Sequence, residues 1–170
     1  MRLDSQGHVH VSPREICEGL DQSARLINRA LIPGTPLAFT TYELYCDFLD
    51  ACADAFSVHP RNILVRGSAK TGFSLSPDPS AAWVAMHPGS DLDLAIVDPD
   101  YYHYLDREIR IWERKTLNQD FKGAKFKKSV SRRKHRGFYT YRYFDLPSIA
   151  CVRDHNARVK SLPVEACCGV

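Results

Sequence analysis

LVRGSAKTGF at residues 64–73 and SDLDLAIV at residues 90–97 decide how this chain is read. The first grows out of an apolar, β-branched run, Asn62 to Arg66, that passes straight into Gly67-Ser68. That order predicts a short strand ending in a tight turn. The second predicts another strand over 91–97, apolar at its far end and suited to burial. Side chains alternate faces along a strand, so Asp91 and Asp93 share one face while Leu92 and Leu94 take the other. Two carboxylates on one face repel each other, and a hard divalent cation with oxygen ligands relieves that repulsion. Magnesium suits such a place where phosphates complete the shell. Two ions about 3.5–4 Å apart can activate an attacking hydroxyl and stabilise a leaving pyrophosphate. A glycine directly after a strand lets the backbone approach a phosphate closely, and the amides that follow can donate to its oxygens. Ser68 adds a hydroxyl, and a short helix through Lys70 would present its N-terminus to an anion. The Lys70 ammonium is a further candidate nucleotide contact, and Arg66 is expected to pair with a nearby acid.

The surrounding elements can be placed from local signals. Ser12-Pro13-Arg14-Glu15 is a helix start, with a serine cap, a proline in the first turn and a glutamate three residues on. Ile16, Leu20, Ile27 and Leu31 then predict an amino-terminal helical extension over 12–32, ended by Pro33-Gly34. After Thr40 or Thr41, the stripe Tyr45, Phe48, Leu49, Cys52, Ala53 and Phe56 predicts a second helix, stopped at His59-Pro60. Residues 74–90, rich in proline, serine and glycine, read as loop. Tyr101, Tyr104, Leu105, Ile109 and Trp112 mark a third helix over about 101–117, and FYTYRYF at 138–144 is a further strand candidate.

The order strand, Gly-Ser, loop, Asp-x-Asp, strand resembles the DNA polymerase beta-like nucleotidyltransferase superfamily. The likeness lies in residues 64–73 and 90–97, and the sequence of elements fits over roughly 40–145. It implies an α/β fold, a small mixed sheet flanked by helices. It further implies that Gly67, Ser68 and Lys70 hold the phosphates of a nucleoside triphosphate such as ATP, and that Asp91 and Asp93 hold two magnesium ions. The family takes a third carboxylate from a later strand, for which Asp145 is the candidate and Asp154 the alternative. The 22 residues between Ser68 and Asp91 exceed the usual family spacing, and the excess falls in SPDPSAAWVAMHPG, an inserted loop near the expected site. The implied reaction moves a nucleotidyl group to a hydroxyl on a protein, an RNA or a small molecule, releasing pyrophosphate. Among relatives, the chain looks most like the small stand-alone bacterial nucleotidyltransferase-like proteins, so a partner chain or an oligomer completing the site belongs to the expectation.

Composition bounds the rest. With 170 residues, 44% hydrophobic and 25% charged, the chain reads as a single globular domain. Its core is expected over about 40–153, with a tail at 154–170. No apolar run is long enough to span a membrane, and no basic-then-apolar leader opens the sequence, so a cytoplasmic location is the expectation. The six cysteines form no CxxC pair and are read as reduced thiols, Cys46 and Cys52 as small core residues. The net charge of +3 conceals a local patch: residues 121–136 carry eight lysines and arginines and no acid. Lys125, Lys127, Lys128, Arg132, Arg133, Lys134 and Arg136 are therefore candidates for contact with nucleic acid or phosphate, with Phe121, Phe126, Phe138 and Tyr139 as stacking surfaces. The alternative reading is an inactive nucleotidyltransferase-like module that holds nucleic acid or a partner protein through that segment. The seven histidines are scattered, and none is assigned a role.

Overall fold

The structure is a computed structural model and describes residues 2–19, 23–87, 90–115 and 162. Asp145, Asp154, the strand candidate at 138–144 and the basic segment at 121–136 lie outside the described residues. The chain divides into two compact units, Met1–Ile96 with Leu162–Val170, and Val97–Ser161.

The first unit opens on a hairpin that carries no periodic signal in the sequence. Strand β1 (Arg2–Leu3) pairs antiparallel with β2 (Val9–His10), Leu3 opposite Val9. Helix α1 (Pro13–Gly19) follows, and its reciprocal cap forms as read. The Ser12 amide donates to Glu15 Oε2 at 2.9 Å, and the Glu15 amide donates to Ser12 Oγ at 3.3 Å. The described part of the extension to residue 32 is not α-helical throughout. Helix α1 covers Pro13–Gly19, α2 covers Ser23–Leu26, and a π-helical turn runs over Ile27–Leu31. Leu26 packs on Gly19, where an added Cβ would meet Leu26 Cδ1 at 3.3 Å. Ile27, counted in the expected apolar stripe, is left exposed.

Helix α3 (Tyr42–Phe56) begins where the sequence places it, Thr41 Oγ1 accepting from the Leu44 amide at 3.2 Å. Its buried face, Phe48, Cys52, Ala53 and Phe56, follows the helical repeat. It ends on Ser57 in the left-handed conformation, φ 55°. A short 3-10 turn over Pro60–Asn62 leads into β3 (Ile63–Arg66). Ile63 and Val65 point into the core and Arg66 is exposed, as strand alternation requires. The core gathers Ala38, Phe39, Phe48, Cys52, Ala53, Ile63, Val65 and Ala69. Phe39 is its centre, 5.2 Å from the Phe48 ring and 5.3 Å from that of Tyr45.

After the four-residue helix α4 (Ser68–Thr71), the expected loop closes on itself. Phe73 bridges Ala85, the Ser74 amide donates to the Val84 carbonyl at 2.8 Å, and the Trp83 amide donates back to Ser74 at 2.9 Å. The excursion thus returns the chain to β4 (Asp93–Ile96), which pairs antiparallel with β3. Among the described residues the strands form two separate two-stranded antiparallel sheets, where one mixed sheet was expected.

Of the second unit, the described part is helix α5 (Pro99–Lys115) and its lead-in. Asp98 Oδ1 accepts from the Tyr101 amide at 2.8 Å, an aspartate cap ahead of a proline in the first turn. The helix therefore starts slightly before the expected Tyr101. Leu105 and Ile109, one turn apart, are its buried residues among those described.

Candidate functional site

The antiparallel register carries the first site. Ile63 stands opposite Ile96, Val65 opposite Leu94 and Arg66 opposite Asp93, so the end of β3 meets the start of β4. Val65 is in the core, and Leu92 and Leu94 pack against it, which leaves Asp91 and Asp93 exposed at the alternate positions. The strand itself begins at Asp93, two residues later than read, and Asp91 lies in the approach to it.

Gly67 is what lets the two motifs touch. It adopts φ 64° and ψ −149°, a region essentially reserved for glycine. A Cβ there would fall 2.5 Å from Asp93 Oδ2 and 3.4 Å from its Cγ. The Asp93 carboxylate thus rests against the bare Cα of Gly67. The Gly67 carbonyl accepts from the Lys70 amide at 3.1 Å, and the Ser68 carbonyl from the Gly72 amide at 2.7 Å. The amides of Ser68 and Ala69 precede this first bonded turn. The Ser68 side chain stands beside them, half-buried.

Lys70 does not serve this turn in the way the sequence suggests. Its side chain is buried, with the residue 3% exposed, and Nζ donates to the Pro33 carbonyl at 2.5 Å and the Gly34 carbonyl at 2.6 Å. Burial pulls its pKa down to about 8. It ties α4 to the 33–39 segment, together with the Ala38 amide donating to the Ala69 carbonyl at 2.9 Å. Such a lysine holds the fold together.

A second polar cluster lies in the amino-terminal hairpin, among residues to which the sequence reading gave no role. Asp4 Oδ2 sits 2.8 Å from His8 Nδ1 and 2.8 Å from His10 Nε2. Asp4 Oδ1 accepts from the Gln6 amide at 2.9 Å and the His8 amide at 3.0 Å. His10 above all, with His8 and these amides, holds the Asp4 carboxyl well below the usual carboxylate range. The His8 ring is buried, and its Nε2 donates to the Phe39 carbonyl at 2.8 Å. Among the described residues, Asp4, His8 and His10 are the one group of three ligating side chains whose donor atoms all lie within 4.8 Å of one another. The signal was present in the sequence: His8-Val9-His10 obeys the same alternation as Asp91-Leu92-Asp93, with an aspartate one tight turn earlier. A two-residue strand gives no periodicity by which to recognise it.

Comparison with protein-family models, curated proteins and solved structures finds no match to this chain. Among the described residues no helix is long and apolar enough to cross a membrane. Cys17, Cys46 and Cys52 are in no disulfide, and Cys52 is fully buried in the core.

Proposed function

We propose that the chain is a magnesium-dependent nucleotidyltransferase, acting through the Gly67 turn and the Asp91/Asp93 pair. The observation that carries this reading is the contact of the Asp93 carboxylate with the Gly67 Cα, made through the Arg66–Asp93 register. The donors suit the cation: both carboxylates are hard, solvent-facing oxygen ligands, and Asp93 lies against a turn whose amides and hydroxyl suit phosphate. Asp91 and Asp93 would hold magnesium, and Asp145 is the proposed third carboxylate. Bound magnesium would neutralise charge on the phosphates and on the departing pyrophosphate.

This chain's own part is positional. The glycine conformation removes side-chain bulk at the strand end, so that the Asp93 carboxylate lies against the turn. The Ser68 hydroxyl and the amides of Ser68 and Ala69 would grip phosphate oxygens. In phosphoryl transfer most of the rate arises from such positioning and charge neutralisation. Lys70 has no part in nucleotide contact in this reading, because both carbonyls that it serves lie in the 33–34 turn. The basic residues at 121–136 would attract a phosphate-rich acceptor to the chain.

Incubation with each labelled nucleoside triphosphate, magnesium and cell extract as acceptor pool tests the proposal. Label is expected to transfer with the native chain and not with Asp91→Ala/Asp93→Ala. Equal transfer by both proteins contradicts it. Retention of nucleic acid by the native chain without any transfer would move the reading to a binding module.

A further inference from the structure

We infer that Asp4, His8 and His10 form a binding site for a first-row transition-metal ion, zinc foremost, separate from the magnesium carboxylates. The inference stands apart from the nucleotidyl-transfer reading and uses none of its residues.

Three features of the hairpin carry it. The first is convergence. Asp4 Oδ2 lies 2.8 Å from both His8 Nδ1 and His10 Nε2, so two imidazole nitrogens and one carboxylate oxygen gather about one place, all within 4.8 Å of one another. The second feature is orientation from behind. Metal-ligating imidazoles almost always donate their other nitrogen to a carbonyl or carboxylate, and the buried Phe39 carbonyl fills that role for His8. The Gln6 and His8 amides fix the free oxygen of Asp4 in the same sense, leaving Oδ2 directed at both rings.

The third feature is spacing and access. Ligands about 2.1 Å from a tetrahedral zinc stand about 3.4 Å apart. The two nitrogen-to-Oδ2 distances of 2.8 Å would widen by about half an ångström to meet that value, a movement open to the part-exposed Asp4 and His10 side chains. The buried His8 side chain, 11% exposed, forms the floor, while those of Asp4 and His10, 31% and 37% exposed, leave a side open for water or a further ligand. Two imidazoles and one carboxylate suit zinc, and also cobalt, nickel or ferrous iron, far better than magnesium. The hairpin is itself anchored: Gly7 at φ 77° turns its carbonyl to the Thr35 amide at 2.9 Å, and Thr35 Oγ1 donates to the Gln6 carbonyl at 2.9 Å.

The test uses the full chain without a histidine tag, stripped with chelator and titrated with zinc chloride by calorimetry, then with cobalt(II) by absorption. His10→Gln and Asp4→Asn remove ligands at part-exposed positions outside the core. One zinc per chain is expected in the native protein, with affinity at least tenfold weaker in either variant. The cobalt derivative should show visible d–d bands without a thiolate charge-transfer band. Nitrogen-detected NMR of the native chain keeps the test independent of the variants' folding: zinc should move the signals of His8 Nδ1 and His10 Nε2 together. Unchanged affinity in both variants, a dominant thiolate band from the cysteines, displacement of zinc by equimolar magnesium, or imidazole signals that do not respond would each overturn the inference.

Discussion

The Gly67 turn and the amino-terminal hairpin each set two ligating side chains one residue apart at the start of a strand, and they differ in how firmly those side chains are held. In the hairpin two of the three ligands have a second contact behind them: the Phe39 carbonyl for His8 and two amides for Asp4. At the turn, Asp93 rests on the bare Cα of Gly67, and both aspartates face solvent. The first arrangement is organised before any ion arrives; the second is completed by the ion and phosphate it receives. The difference follows from donor chemistry. Nitrogen ligands need a fixed ring orientation, whereas magnesium keeps several waters and is held by one or two carboxylates together with the phosphates of its substrate.

Phe39 serves both regions, its ring in the core beneath β3 and its carbonyl on His8. Phe39→Ala is therefore the change expected to do most, lowering stability by about 3–5 kcal/mol in urea unfolding. Zinc binding at the hairpin should weaken with it. A loss below about 1 kcal/mol would mean that the two regions do not share this centre.

Lys70 ties the segment after the turn to the 33–34 carbonyls, next to the hairpin. Its pKa is lowered to about 8 in the folded chain from an ordinary 10.5, so above about pH 8 the unfolded chain holds the extra proton. Stability then rises as pH climbs from about 8 toward 10.5, by an amount on the order of 2 kcal/mol, and this contribution is absent below about pH 8. Unfolding curves at pH 7.5 and pH 9.5 should show the rise in the native protein and a flat response in Lys70→Met. The same pH response in both proteins would detach it from Lys70.

Gly67→Ala separates the regions. A side chain at φ 64° and ψ −149° is strained by about 1–3 kcal/mol, and its Cβ displaces Asp93 Oδ2. Nucleotide binding should be lost and the zinc affinity of the hairpin kept. Loss of both on a folded background would show the comparison to be wrong. Thr41→Ala is the smallest change, removing one cap bond of α3 at a cost of about 1 kcal/mol by thermal unfolding, with both sites unaffected. A shift in either site's affinity would mean that α3 is coupled to it.

The sequence was most legible where local chemistry repeats. The Ser12–Glu15 cap, the Thr41 cap, the stripe of α3 and the alternation of Asp91 to Leu94 are all one- or two-turn signals, and each formed. It was least legible where the outcome depends on long-range contact. Ile27 fits an apolar stripe, but it lies in a π-helical turn and is exposed, while Leu26 packs on Gly19. Lys70 looks like a phosphate ligand until the 33–34 turn arrives beside it, and nothing near it in sequence announces that turn. His8 and His10 likewise gain meaning only when the Phe39 carbonyl, 31 residues on, closes behind His8.

Titration of the full chain with a nucleoside triphosphate, with and without magnesium, tests the central claim most directly. Magnesium-dependent binding is expected at about micromolar concentration, at least tenfold weaker in Asp91→Ala/Asp93→Ala and unchanged in His10→Gln. Binding that ignores magnesium, or that survives intact in the double variant, would contradict a metal–nucleotide centre at the Gly67 turn.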